Sequence, residues 1–336
     1  MKNITYFLGA GASYNACPIW KEQGNKMLEM SLEYQDNSDF DIYKNPYDED
    51  NEKFILWEIG YFGKKAIEFN TIDTYAKKLL LNRSIDELDR LKFAVSMFFT
   101  LWQLSTDLKI RDHERYKDVI DRRYIDLLAK LLENKGESNP TIPTNINIVT
   151  WNYDLQFEFA YKSFCDNDRS WRDIKNTLKF TTHYKDSQQI CHLNGYHGFY
   201  LGDRGETDLL DRGKGTLNEI LKAEAFTISS VFNGKIHFYD HINYAWENND
   251  LSTLLRKRAK NIFSQTDILI IIGYSFPPFN KEIDKELFDA LRKDNVEIIY
   301  QDPNLDENFL NLLIDTSKIK ITYLKERNDH FHLPYS

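Results

Sequence analysis

Four short polar motifs carry the residues with chemical capacity in this chain. Gly9-Ala10-Gly11-Ala12-Ser13 sets two glycines one residue apart, with a hydroxyl two residues further on. Lacking Cβ atoms, such a turn lets backbone N–H groups come close to a ligand, and a helix N-terminus behind it suits a pyrophosphate. Thr150-Trp151-Asn152-Tyr153-Asp154 offers an amide and a carboxylate two residues apart. His192-Leu193-Asn194-Gly195-Tyr196-His197-Gly198 holds two histidines around a Gly turn, and Gly273-Tyr274-Ser275 repeats the Gly-x-Ser pattern. An Asn can hydrogen-bond polar substrate groups or a water, and a His of near-neutral pKa can accept a proton. Each motif also has a plainer reading. Glycines serve turn geometry, Asn152 and Asp154 suit a helix cap, and a strand-end histidine can be structural.

The elements around these motifs alternate in type. Ile4 to Leu8 is a short apolar run that reads as a buried strand ending at the glycine turn. An ordinary dinucleotide unit would have a third glycine where Tyr14 stands, and a second strand about 20 residues on. Instead Lys21 to Met30 is polar and helix-forming, and the next strand is Ile146 to Thr150. Between them, Phe54 to Lys65, Asp73 to Leu81, a stretch opened by Ser84 and Glu87 as a capping box, and Tyr116 to Leu132 all read as helices. Beyond residue 141, strands at 146–150, 190–193, 235–239, 267–273, 296–300 and 319–324 alternate with helices at 155–164, 251–263, 281–291 and 305–313. This alternation predicts an α/β fold, a doubly wound, mainly parallel Rossmann-like sheet with a large helical insertion after the first strand. Residues 1–20 and 141–336 form the sheet domain and 21–140 the insertion. Ligands of such sheets bind beyond the carboxyl ends of the strands, where all four motifs fall.

Composition narrows the classes. The 336 residues are 42% hydrophobic and carry a net charge of −9, which argues for a packed core and against a broad nucleic-acid surface. The basic run Arg256, Lys257, Arg258 and Lys260 reads as a solvated helix face. Three cysteines, Cys17, Cys165 and Cys191, cannot make a four-cysteine zinc ribbon, and the histidines show no ligand spacing. The odd count and absence of a signal-like segment or membrane-length apolar run predict a soluble, cytoplasmic protein.

With these motifs in this order the chain resembles the sirtuin-like family, above all the bacterial NAD-cleaving effectors of antiphage defence. The resemblance covers residues 4 to 25 and 145 to 305. It implies that Gly9, Ala10, Gly11, Ala12 and Ser13 hold the NAD pyrophosphate, that Asn152 lies beside the nicotinamide ribose, and that Asp154 lies near the carboxamide. Gly273 and Ser275 would contact the phosphates or adenine ribose, and Asp302 and Asn304 the adenosine ribose. Thr71-Ile72-Asp73 also looks like a family segment, although a helix cap explains it equally. The family's Leu-His-Gly is Leu193-Asn194-Gly195 here, so an Asn stands where a catalytic base is expected. The base is then His197, which keeps a following glycine, or His192 at the strand end; the loop position favours His197. The implied activity is an NAD glycohydrolase with NAD as substrate, no metal, and a toxic role in defence. A protein deacylase, disfavoured by the missing zinc cysteines, and a non-catalytic NAD or ADP-ribose sensor are the alternatives. A separately encoded regulatory protein or a nucleotide signal would restrain it. The expected protein is an oligomer without membrane or direct nucleic-acid contact.

Overall fold

In a computed structural model the described residues are 1–33, 51–111, 114–134, 136, 139–166, 169–179, 189–201, 207–208, 210, 213–223, 238–291, 296–315, 319–326 and 330–334. The strands in chain order are β1 (Ile4–Leu8), β2 (Ile146–Thr150), β3 (Ile190–His192), β4 (Phe199–Leu201), β5 (Thr207–Asp208), β6 (Phe238–Asp240), β7 (Ile268–Ile272), β8 (Glu297–Gln301) and β9 (Lys320–Leu324). Six of them form one sheet in the order β3-β2-β1-β7-β8-β9, every pair parallel. Counted within the sheet, this is the order 3-2-1-4-5-6 of a Rossmann-like fold, reversing between β1 and β7. Buried on both faces, β1 and β7 read as continuous apolar runs rather than alternating ones.

The chain divides into two compact units: 1–14, 120–195 and 243–336 around the parallel sheet, and 15–119 with 196–242. In the sheet unit, α5 (Arg122–Leu131), α6 (Gln156–Lys162), α7 (Trp171–Leu178), α8 (Asp250–Gln265), α9 (Lys281–Ala290) and α10 (Asn308–Leu313) follow the numbering of four helices in the other unit. Phe7, Val149, Cys191, Ile271 and Tyr300 share one face and pack with Leu255, Ala259 and Phe263 of α8 and Leu287 and Phe288 of α9. Leu8, Thr150, His192, Ile272 and Gln301 lie in register on the opposite face.

The second unit contains α1 (Trp20–Glu33), α2 (Asn51–Glu68), α3 (Ile72–Leu81) and α4 (Ile85–Leu104), plus the antiparallel sheet β5-β4-β6. From Phe93 to Leu104, α4 is buried on every side, and Trp102 Nε1 donates to Ala16 O. Thr71 caps α3 by accepting from Thr74 N, in keeping with the cap reading of that segment. The capping box expected at Ser84 does not form, because the Glu87 carboxylate accepts from Tyr61 and Tyr75 hydroxyls instead. The strand expected near 235–239 is β6, paired with β4 outside the parallel sheet; residues 235–237 lie outside the described residues. The unit thus reaches beyond the 21–140 segment to take in 196–242. It gives up α5, which packs through Tyr124 on Phe157 and Phe331.

One buried acid lies under the carboxyl ends of β2 and β7. Asp284 on α9 accepts from Trp151 Nε1 (3.2 Å) and Tyr274 OH (2.7 Å), and burial pushes its pKa up to about 7. A folded-state pKa above the unfolded value gives stability that is full at acid pH and lost as pH rises through that folded value. Asp284→Asn is therefore expected to flatten the decline between about pH 4 and pH 7, leaving the variant relatively more stable at pH 8 by a few kcal/mol. Urea unfolding of both proteins across that range checks it; parallel pH profiles would refute it.

Candidate functional site

The carboxyl ends of β1, β2, β3 and β7 carry the polar residues singled out above. Past the strand ends the ladder continues: Gly9 N donates to Ile272 O, Gly11 N to Gly273 O, Trp151 N to Leu8 O and Leu193 N to Thr150 O. The segment after β1 is a single 3-10 turn, Ala10–Ser13, and the first α-helix starts only at Trp20. The expected helix N-terminus directly behind the glycines is therefore not there. Four amides of this stretch are already committed, those of Gly9, Gly11, Ala12 and Tyr14, each to a backbone carbonyl. The glycines serve packing. A Cβ on Gly11 would stand 2.8 Å from Gly273 Cα, and one on Gly273, at φ +59°, would stand 2.3 Å from Ala12 N.

Ser13 acts as a bolt rather than a free donor. Its hydroxyl donates to Asp154 Oδ1 (3.0 Å), receives Asn152 Nδ2 at 3.3 Å, and lies 3.2 Å from Tyr124 OH. Asp154 Oδ1 also accepts from Gln156 N, the first amide of α6, from one residue before the N-cap Leu155. Burial nevertheless raises its pKa to about 6. Asn152 is only 7% exposed. Its Nδ2 donates to Gly9 O at 3.0 Å, which fixes which end of the amide is oxygen. Asn152 therefore ties the β1 turn to the end of β2 while its Oδ1 presents an acceptor.

The two candidate histidines separate. His192, 3% exposed, sits at the end of β3 with Nε2 2.7 Å from Glu158 Oε1 and Nδ1 3.5 Å from the carbonyl of Asn152. Burial lowers its pKa, but the Glu158 carboxylate, the Asn152 carbonyl and Asp154 together outweigh that and the net shift is upward. His197 belongs to the other unit and is fully buried there, with Nδ1 3.0 Å from Thr100 Oγ1 and its ring against Phe99. Its place in the loop, the reason for favouring it, does not make it an exposed base.

Asn194, 6% exposed, donates Nδ2 to Trp151 O at 3.2 Å. Among the described residues its buried Oδ1 has no donor. A buried acceptor left unmatched is rare and costs about 1–3 kcal/mol, so it marks a place where a donor is expected. Ser275 is exposed, and Asp302 Oδ1 accepts from Asn304 N in a surface turn. Local turn geometry accounts for that pair. In the basic run, Arg256 holds the loop before α8 through Ala245 O and Glu247 O, and Lys260 faces Glu286 at 3.9 Å.

Sequence reading passed over Glu158, Arg123 and Tyr124. Glu158 lies in the first turn of α6, and its contact with His192 at the end of β3 left no local signal. Arg123 Nη2 donates to Gly11 O and Ala12 O and forks onto Asp121, the N-cap of α5. An Asp cap followed by Arg and Tyr was the available signal. Among the described residues no group of three or more His, Cys, Asp or Glu is placed to hold a metal, and no helix is long and apolar enough to cross a membrane. None of the three cysteines forms a disulfide.

No protein-family model matches the chain, and no curated protein matches it significantly. The class is therefore defined by fold: a Rossmann-like α/β protein with a polar cluster at the carboxyl ends of its parallel strands.

Proposed function

We propose that the sheet unit is an NAD glycohydrolase, adding water across the nicotinamide–ribose bond to give nicotinamide, ADP-ribose and a proton. The observation that carries this reading is the set of acceptors at the ends of β2 and β3. Asn152 Oδ1, with its amide nitrogen tied to Gly9 O, follows β2, the neighbour of β1 on one side of the chain reversal, and the buried, unmatched Asn194 Oδ1 follows the edge strand β3. Acceptors held in this way suit ribose hydroxyls and an attacking water. Their fixed dipoles also favour the positive charge that develops on the sugar as the glycosidic bond breaks. In this reading Asn152 orients water or ribose. His192 is a positioning residue, holding Glu158 and the Asn152 carbonyl. Asp154, whose pKa of about 6 still leaves it mostly ionised at pH 7, faces the carboxamide as an acceptor. Departure of nicotinamide, a neutral leaving group, needs no strong general acid.

The sirtuin-like motifs further imply a toxic role in antiphage defence, restrained by a separately encoded protein or a nucleotide signal. A sensor that binds NAD or ADP-ribose without turnover is the second reading. It is favoured by His192, whose two ring nitrogens both face protein acceptors. Incubating the purified chain with NAD and resolving the products by chromatography separates the readings. Equal amounts of nicotinamide and ADP-ribose, without an acyl-peptide, are expected. Product appearing only as O-acyl-ADP-ribose would make it a deacylase, and calorimetric binding without product a sensor. Neither binding nor cleavage would end the NAD reading.

A further inference from the structure

The segment 330–334 is tied to the sheet unit by side chains that have no part in the strand ladder. Gln301, at the end of β8, clamps it from both sides: Nε2 donates to His330 O at 2.8 Å, and Oε1 accepts from His332 N at 2.9 Å. Tyr6 OH on β1 donates to His332 O at 3.2 Å, on the same sheet face as Gln301. His330 Nδ1 lies 2.8 Å from Asp126 Oδ2 on α5. Between these ties Phe331 is buried, its ring edge-on to Tyr124 (centroids 5.0 Å apart) with the Arg123 guanidinium 4.9 Å over it. Both of those residues go on to the glycine turn. Arg123 reaches Gly11 O and Ala12 O, and Tyr124 OH meets Ser13 Oγ.

We infer that segment 330–332 is a strap that positions the Gly9–Ser13 turn, with Phe331 and Gln301 as its positioning residues. The turn needs such a brace. It is one 3-10 turn with no α-helix directly behind it, and Arg123 Nη2 adds to the turn's own backbone bonds by donating to Gly11 O and Ala12 O. Phe331 fixes the guanidinium plane by stacking and the phenol by edge contact, and so sets where Ser13 meets Asn152 and Asp154. A bound partner or ligand that lifted the strap would release the turn. The catalytic consequence rests on the glycohydrolase reading; the structural one does not.

Phe331→Ala, Gln301→Leu and the conservative Phe331→Tyr, each as full chain, test the inference by hydrogen exchange and NAD kinetics. The first two are expected to speed amide exchange across residues 9–14 by about ten-fold or more, while the amides of β9 keep their protection. They should also lower kcat by about ten- to a hundred-fold with little change in KM, because the strap orients the turn without touching substrate. Phe331→Tyr should restore both. Unchanged exchange at 9–14 would overturn the strap, as would a rise spread evenly over the sheet, which signals general destabilisation. A localised rise in exchange, with a wild-type chain that leaves NAD intact, would support the strap and remove the glycohydrolase reading alone.

Discussion

Gly273→Ala is expected to be the most damaging small substitution in the sheet unit, lowering stability by roughly 3–5 kcal/mol. Two costs add. The left-handed backbone at φ +59° costs an L-residue about 1–2 kcal/mol by itself. The new methyl would also lie 2.3 Å from Ala12 N and from Gly11 C, backbone atoms that cannot rotate away as a side-chain end would. Moving them means parting the turns after β1 and β7, whose contact includes the 2.8 Å bond from Gly11 N to Gly273 O. Gly136→Ala separates the two costs within the same unit. Gly136 has φ +81°, and nothing lies within 4 Å of the place its new methyl would take, so only the conformational cost of about 1–2 kcal/mol applies. Urea unfolding followed by circular dichroism measures both. Equal losses at the two glycines would show that the turns part easily and that the close packing matters little. Gly11→Val should resemble Gly273→Ala. Its branch meets Gly273 before any ligand, so its first effect is on folding rather than on NAD binding.

Asn152→Ala is expected to reduce nicotinamide release from NAD by on the order of 10²–10³-fold, with most of the loss in kcat. The amide does two jobs. Nδ2 ties Gly9 O and Ser13 Oγ to the end of β2, and Oδ1 is the acceptor assigned to water or ribose. A strand-end amide in a wet cleft would be expected to matter little to folding, but this one is buried and bonded. Its removal should therefore also cost about 1–2 kcal/mol of stability, as two bonds lose a partner in a site that water reaches poorly. Asn152→Asp distinguishes the jobs, since it keeps acceptor oxygens and loses the N–H donor. Nicotinamide release by the alanine variant at the wild-type rate, in protein with the expected loss of stability, would leave Asn152 structural and misplace the site.

Much of the architecture is legible in the order of residue types. Runs such as Ile146-Asn147-Ile148-Val149-Thr150 and Ile268 to Ile272 are apolar, β-branched and of strand length, and they form β2 and β7 of the parallel sheet. Thr71 caps its helix, and Asp154 accepts the first amide of α6 from just outside it, because a short polar side chain beside free helix amides finds them within two or three residues. These are local outcomes, governed by neighbours close in sequence. The Ser84–Glu87 box fails for the complementary reason. Glu87 has competing donors in Tyr61 and Tyr75, 26 and 12 residues away, and no local pattern reveals them.

The chain by itself determined the strands of the parallel sheet and most of the helices, though not α7, β4 or β5, and that its polar motifs would fall at strand ends. Period, branching and turn residues act over a few positions and leave little choice. Only the tertiary structure decided what those motifs contact. Residue types alone left the glycines after β1 and β7 open to a phosphate; the fold presses them against each other so that an added Cβ would stand at 2.3–2.9 Å. Two histidines on one short motif were both candidates for the base. Folding put His192 against Glu158 in one unit and His197 against Thr100 in the other. The strap at 330–332 meets the turn at 9–13 through α5, from a segment more than 300 residues away in the chain. Such pairings depend on side chains converging from distant segments in a close-packed interior, and no spacing within either segment encodes the partner.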